Sequence, residues 1–145
     1  MTPLELVRIY AFSLIGKEYI YGGAGPHFDC SGLVIDLLKA GGIGPPHDMT
    51  AQQLFEHYKP KSQWDVHDLG SLVFYGQAIN KITHIAFMIS PFHIIEAGGG
   101  DSRTTTIEEA RRRGAFVRMR LFKDPAGING RKDIVAVIKP KYLDF

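Results

Sequence analysis

The chain has 145 residues, 45% of them hydrophobic, and a formal net charge of +2. That length favours one domain, residues 1–145, able to bury a core without a metal or disulfide staple. The charge is too mild to argue for nucleic acid, the single cysteine, Cys30, excludes an intrachain disulfide and a cysteine-based structural zinc site, and no run approaches the ~18 apolar residues of a membrane span.

In chain order, the N-terminus carries an acid early and lacks the apolar run of a signal peptide. Cytoplasmic synthesis is expected, with action elsewhere only after a leaderless route such as delivery by a virion. Thr2-Pro3 opens an amphipathic helix whose apolar residues are Leu4, Leu6, Val7, Ile9, Tyr10 and Leu14, and Gly16 ends it. Residues 19–21 read as extended and 22–26 as a glycine-rich loop. Asp29 caps a second helix with Leu33, Val34, Leu37 and Leu38 at helical spacing, stopped by Gly41-Gly42. A third helix over 50–58 presents Leu54, Phe55 and Tyr58. The second half reads as strands over 71–75, 82–89, 92–97, 115–122 and 134–139, with a short polar helix over 106–113. Helices followed by strands predict an α+β domain: N-terminal helices packed on an antiparallel sheet of about five strands.

Cys30 begins the second helix. Unpaired backbone N–H groups and the positive end of the helix dipole favour a thiolate there, and the thiolate is the nucleophilic form. Ser31 and Gly32 leave room for a substrate carbonyl, and the nearby amides suit an oxyanion hole. A buried structural thiol is the competing reading, and these residues alone leave the two about even.

Of the six histidines, His47, His57 and His67 read as solvated, and His27 as loop cover near the site. His84 begins an alternating strand, which is a rigid mount for a base facing a helix-borne nucleophile. Ser90-Pro91 marks a turn, so the flanking strands form a hairpin. A three-residue loop pairing Met88 with Phe92 sets His84 opposite Glu96, with Cβ atoms about 5 Å apart. A two-residue loop pairing Met88 with His93 leaves His93 about 13 Å from His84. Glu96 therefore orients the ring in one register and His93 in neither. A carboxylate on Nδ1 would fix the tautomer and favour the imidazolium.

These blocks resemble a known family. Tyr19-Ile20-Tyr21-Gly22-Gly23 and Phe28-Asp29-Cys30-Ser31-Gly32-Leu33-Val34 are similar to the nucleophile block of the NlpC-type cell-wall peptidases. His84-Ile85-Ala86-Phe87-Met88-Ile89 is similar to the His block, residues 92–97 to the strand bearing the third polar residue, and residues 69–75 to the first core strand. The resemblance runs from about residue 4 to 138. It implies a papain-like fold and hydrolysis of peptidoglycan stem peptides between D-γ-glutamate and a diamino acid, through a thioester and without a metal or other cofactor. The implied roles are Cys30 as nucleophile, His84 as base and Glu96 as orienting group. Tyr19, Asp29 and Ser31 take the oxyanion and substrate-binding positions, with Tyr19 fitting better than Tyr21. The peptidoglycan stem peptide is the expected partner, with no nucleic acid and no membrane. Stand-alone domains with a tract like residues 98–102 resemble versions encoded near phage tail genes, which adds phage tail proteins as partners.

Three departures stand out. Glu96 is acidic where the family most often has His, Asn or Gln. Ser71 replaces the usual Asp, at the expected cost of a structural hydrogen bond. The loop before Cys30 is short. Arg103 and Arg111 to Arg113 are candidates to meet substrate carboxylates, with a solvated helix face as the plainer reading of the triplet. The alternatives to a peptidoglycan hydrolase are a papain-like amidase or acyltransferase on another γ-glutamyl or acyl substrate, and a phage tail assembly component with a retained cleft.

Overall fold

The computed structural model describes residues 1–21, 29–100, 103–123 and 133–142. The loop expected over 22–26, together with His27 and Phe28, lies outside the described residues.

Helix α1 spans Pro3–Leu14. It starts at a capping box: the Thr2 hydroxyl accepts from the Glu5 amide at 3.2 Å, and the Glu5 carboxylate accepts from the Thr2 amide at 2.7 Å. Its buried stripe is Val7, Ala11 and Leu14, a clean i, i+4, i+7 pattern. Leu6, Ile9 and Tyr10, expected on the inner face, are exposed. The apolar residues of this helix run most of the way round it, so apolarity alone overstated the buried side. Tyr10 instead donates its hydroxyl to Asp36.

Helix α2, Cys30–Ala40, is the central element, with Leu33, Val34, Leu37 and Leu38 fully buried. Its Asp29 cap accepts from the Gly32 amide at 2.7 Å, and the chain leaves through Gly42, whose φ is +81°. Helix α3, Ala51–Tyr58, has a second capping box between Thr50 and Gln53 and buries Leu54, Phe55 and Tyr58, as the sequence predicts.

A single antiparallel sheet follows. Its strands are β1 (Ser62–Trp64), β2 (Leu72–Gly76), β3 (Ile82–Met88), β4 (His93–Gly98), β5 (Phe116–Leu121) and β6 (Ile134–Pro140), in the order β1-β6-β2-β3-β4-β5. Helix α4, Ile107–Arg113, connects β4 to β5. Among the described residues there are six strands rather than the expected five or so. The additional one, β1, is three residues long and largely exposed, so it carries no readable alternation. Backbone pairing with β6 from Ser62↔Pro140 to Trp64↔Ile138 holds it.

Alternation along the strands makes two cores. Leu72, Phe74, Ile85, Phe87, Ile95 and Val117 join the helices in the larger cluster. Val73, Tyr75, Ala86, Met88 and Ile94 form a smaller one on the other face. Ser71, fully buried, keeps its hydrogen bonding: its hydroxyl donates to the Val66 carbonyl and accepts from the Asp68 amide at 3.4 Å. The loss expected there is not seen. Among the described residues no helix is long and apolar enough to cross a membrane.

Candidate active site

The register of the β3–β4 hairpin decides whether His84 meets Glu96. Phe87 pairs with Ile95 and Met88 with Ile94, which is neither of the two registers expected. The loop sits one residue further along because Ser90 closes it: its hydroxyl accepts from the Phe92 amide at 3.1 Å and the His93 amide at 3.0 Å, and the Ile89 amide bonds to the His93 carbonyl at 3.0 Å. Continued along the strands, this register sets Glu96 beside Ala86, diagonal to His84 rather than opposite it. The shift is even, so the side chains keep the same face. A glutamate bridges the diagonal spacing of about 7–8 Å.

The bridge is made. His84 Nε2 lies 2.9 Å from Glu96 Oε1, and both side chains are buried. The carboxylate therefore meets Nε2, not the Nδ1 expected from the sequence. Cys30 and His84 line the same cleft, the thiol favours the charged form of the ring, and with Nε2 taken by Glu96 the ring nitrogen left open is Nδ1. The sulfur sits at the first residue of α2, where the amides of Cys30 and Ser31 have no intrahelical partner. His93 takes no part: its Nδ1 lies 2.9 Å from the Ser90 hydroxyl in the hairpin turn.

Electrostatics bind the three groups together. Burial opposes a charged His84 ring, but the hydrogen bonds and charges of Cys30 and Glu96 outweigh it and raise the imidazole to about 9. Burial likewise opposes ionised Glu96. The hydrogen bond and charge of His84, followed by the charges of Arg120 and Arg118, overcome it and hold the carboxyl at about 2. The arginines stand on the neighbouring strand, Arg118 directly paired with Glu96. Arg118 Nε approaches Glu96 Oε2 at 3.4 Å and Arg120 Nη1 approaches it at 3.1 Å.

Tyr19, Asp29, Cys30, Ser31, His84 and Glu96 all line one cleft of about 590 Å³. This is the size of a small-ligand site. The Asp29 carboxylate is engaged by the helix start, accepting from Gly32 N and, at 3.3 Å, from the Ser31 hydroxyl. Tyr19 is buried, with its amide bonded to the Ala115 carbonyl at 2.9 Å. Gly100 lies flat on the Tyr19 ring: a Cβ there would fall 2.3 Å from a ring carbon. Gly98 and Gly99 line the cleft as well, while Asp101 and Ser102 lie outside the described residues. Among the described residues no three His, Cys, Asp or Glu side chains gather to hold a metal ion.

Arg118 and Arg120 are the site residues that sequence reasoning missed. Their signal was present: alternate positions on one strand share a face. The triplet Arg111 to Arg113, a solvated helix face on its plainer reading, is engaged elsewhere. Arg111 bonds to Glu18, and Arg112 and Arg113 bond to Glu109. None of the three lines the cleft.

Comparison with known proteins places this arrangement. The family model described as NlpC/P60 family matches residues 16–121. The chain belongs to the NlpC/P60 family. A probable endopeptidase of Mycobacterium tuberculosis, Rv2190c, is 38% identical over 69 residues, which is 47% of this chain and 17% of that protein. The chain thus spans under a fifth of the length of that relative. An NlpC/P60 family protein from Bacillus cereus shares the fold with a TM-score of 0.67 at 21% identity, covering 97% of this chain and 40% of that one. The peptidoglycan hydrolase RipB from Mycobacterium tuberculosis superposes with a TM-score of 0.65 at 18% identity, covering 97% of this chain and 65% of that one. The NlpC/P60 fold, α+β and papain-like, matches the architecture expected from the sequence. The phage-tail association finds no support among these relatives.

Proposed function

We propose that this NlpC/P60 chain is a cysteine endopeptidase that hydrolyses peptidoglycan stem peptides at the bond between D-γ-glutamate and a diamino acid. The observation that carries the reading is the buried His84–Glu96 hydrogen bond set in one cleft with Cys30, the first residue of α2. The peptidoglycan hydrolases and endopeptidases among its relatives support the substrate class.

In this reading the Cys30 thiolate attacks the γ-carbonyl carbon and the carbonyl π electrons move to oxygen. The amides at the start of α2 and the Tyr19 hydroxyl receive that oxyanion. His84 Nδ1 carries the proton released by the thiol and delivers it to the departing amine as the C–N bond breaks, leaving a thioester. Water then attacks the thioester with His84 as base, and the acid and the thiol are restored. Glu96 holds Nε2–H throughout and favours the imidazolium.

The test is incubation of the purified protein with a synthetic stem tetrapeptide, followed by chromatography of the products. Release of the γ-glutamyl fragment, blocked by prior alkylation of Cys30, is expected. Absence of cleavage, with thiol-dependent turnover of a different amide, would overturn the assignment in favour of an amidase or acyltransferase.

A further inference from the structure

The Arg118–Arg120 pair carries more positive charge than its shared partner Glu96 neutralises. Glu96 supplies one negative charge to two guanidinium groups. A proton moving between Cys30 and His84 does not change the total, so these five groups sum to +1 with the thiol–imidazole or the thiolate–imidazolium pair alike. Two further carboxylates line the same cleft: Asp29, which accepts from the Gly32 amide, and Asp48, on the exposed segment leading into α3.

The donors are also incompletely used. A guanidinium has five N–H groups. Among the described residues each arginine makes one ion pair, and both go to the same oxygen, Glu96 Oε2. The two side chains are 31% and 20% exposed, and both line the cleft. Gly98 sits against Arg118: a Cβ at 98 would fall 2.7 Å from Arg118 Nη2, so the glycine leaves room for the guanidinium beside the cleft. Paired guanidinium edges with spare donors suit a planar carboxylate.

We infer that Arg118 and Arg120 form a subsite for a carboxylate of the substrate, beside the Cys30–His84–Glu96 series and separate from the capping groups Asp29 and Ser31. This rests on the proposed stem-peptide substrate. Such a peptide offers two sources of the same group: the α-carboxylate that γ-linkage leaves free on the glutamyl residue, and a carboxylate of the diamino acid.

Three stem peptides separate the sources: the parent acid, the peptide amidated at the glutamyl α-carboxyl, and the peptide amidated at the diamino acid. One amidation is expected to raise KM roughly 10- to 100-fold in the wild type, the loss typical of a charge-assisted hydrogen bond. That penalty should shrink severalfold or more in Arg118→Gln or Arg120→Gln and be partly restored by Arg120→Lys. Arginines that served only to hold Glu96 would lower kcat on all three peptides alike and leave the penalty intact. An unchanged penalty in both Gln variants, or no penalty from either amidation in the wild type, overturns the subsite. A readout independent of turnover uses glutarate as the probe. Glutarate should slow iodoacetamide alkylation of Cys30 in the wild type and not in Arg120→Gln, at matched ionic strength. If no stem peptide is cut yet glutarate protects Cys30 through Arg120, the substrate assignment fails and the carboxylate subsite stands. Absence of protection in the wild type counts against the subsite whatever the substrate.

Discussion

Removing the Glu96 carboxylate isolates its effect on His84. In Glu96→Ala the ring loses the Nε2 contact of 2.9 Å. A hydrogen bond to a charged group contributes roughly 1.5–3 kcal/mol, so kcat/KM on a stem peptide should fall on the order of 10- to 150-fold. Glu96→Gln is milder. Its amide oxygen still accepts from His84 Nε2–H, while its NH₂ then faces Arg118 and Arg120, so orientation survives and charge does not. A loss of roughly five- to tenfold is expected. Both variants should move the alkaline limb of the pH–rate profile to lower pH. That limb follows the His84 imidazolium, raised to about 9 in part by Glu96, and without the carboxylate the cationic ring is less favoured. The assay is steady-state kinetics from pH 5 to about 10 with circular dichroism as a folding control. A folded Glu96→Ala protein with kcat/KM within about twofold of wild type and an unmoved alkaline limb would refute the orienting role.

Three further outcomes follow from the same geometry. The lowered Glu96 carboxyl contributes stability that is fully present above pH 4.5 and lost as pH falls through about 2, while the raised His84 imidazole contributes stability fully present below pH 6.5 and lost as pH rises through about 9. Because the two shifts share the His84–Glu96 contact, the drop from 4.5 to about 2, to which Arg120 and Arg118 also contribute, worth about 3 kcal/mol, is counted once. The difference in thermal midpoint between wild type and Glu96→Ala should therefore be widest between pH 4.5 and 6.5 and narrow on either side; a pH-independent difference contradicts the pairing. His93→Ala should keep kcat/KM within about twofold of wild type, since His93 bonds to Ser90 rather than to the site; loss of activity in a folded His93→Ala protein would contradict the observed division of roles. Gly100→Ala should displace the Tyr19 ring, which a Cβ would approach to 2.3 Å, and lower kcat more than it raises KM; unaltered kinetics would remove Tyr19 from the oxyanion position.

The parts of this molecule legible in its sequence are those fixed by local chemistry. Asp29 beside Cys30 marks a helix start because a carboxylate there satisfies an orphan amide, and α2 begins at that point. His84 and Glu96 were paired from alternation, and they meet although the predicted register does not hold. An even shift preserves the face, and the reach of a glutamate covers the diagonal. The register itself was hidden because Ser90 closes the turn through its hydroxyl, a bond that loop length alone does not reveal. The α1 face was overdrawn because burial depends on what packs against a helix: Val7, Ala11 and Leu14 are covered, Leu4 is partly covered, and Leu6, Ile9 and Tyr10 are exposed. Strand β1 is a matter of pairing at a sheet edge, with no pattern of its own. Arg118 and Arg120 are not legible in the sequence for a related reason. Their meaning depends on which strand lies beside β5, and α4 separates β4 from β5 in the chain.

The most direct test of the account is mass spectrometry of muropeptides digested with the wild type and with Cys30→Ser. Fragments ending in γ-glutamate are expected from the wild type and none above background from Cys30→Ser. Equal cleavage by the two proteins would contradict it.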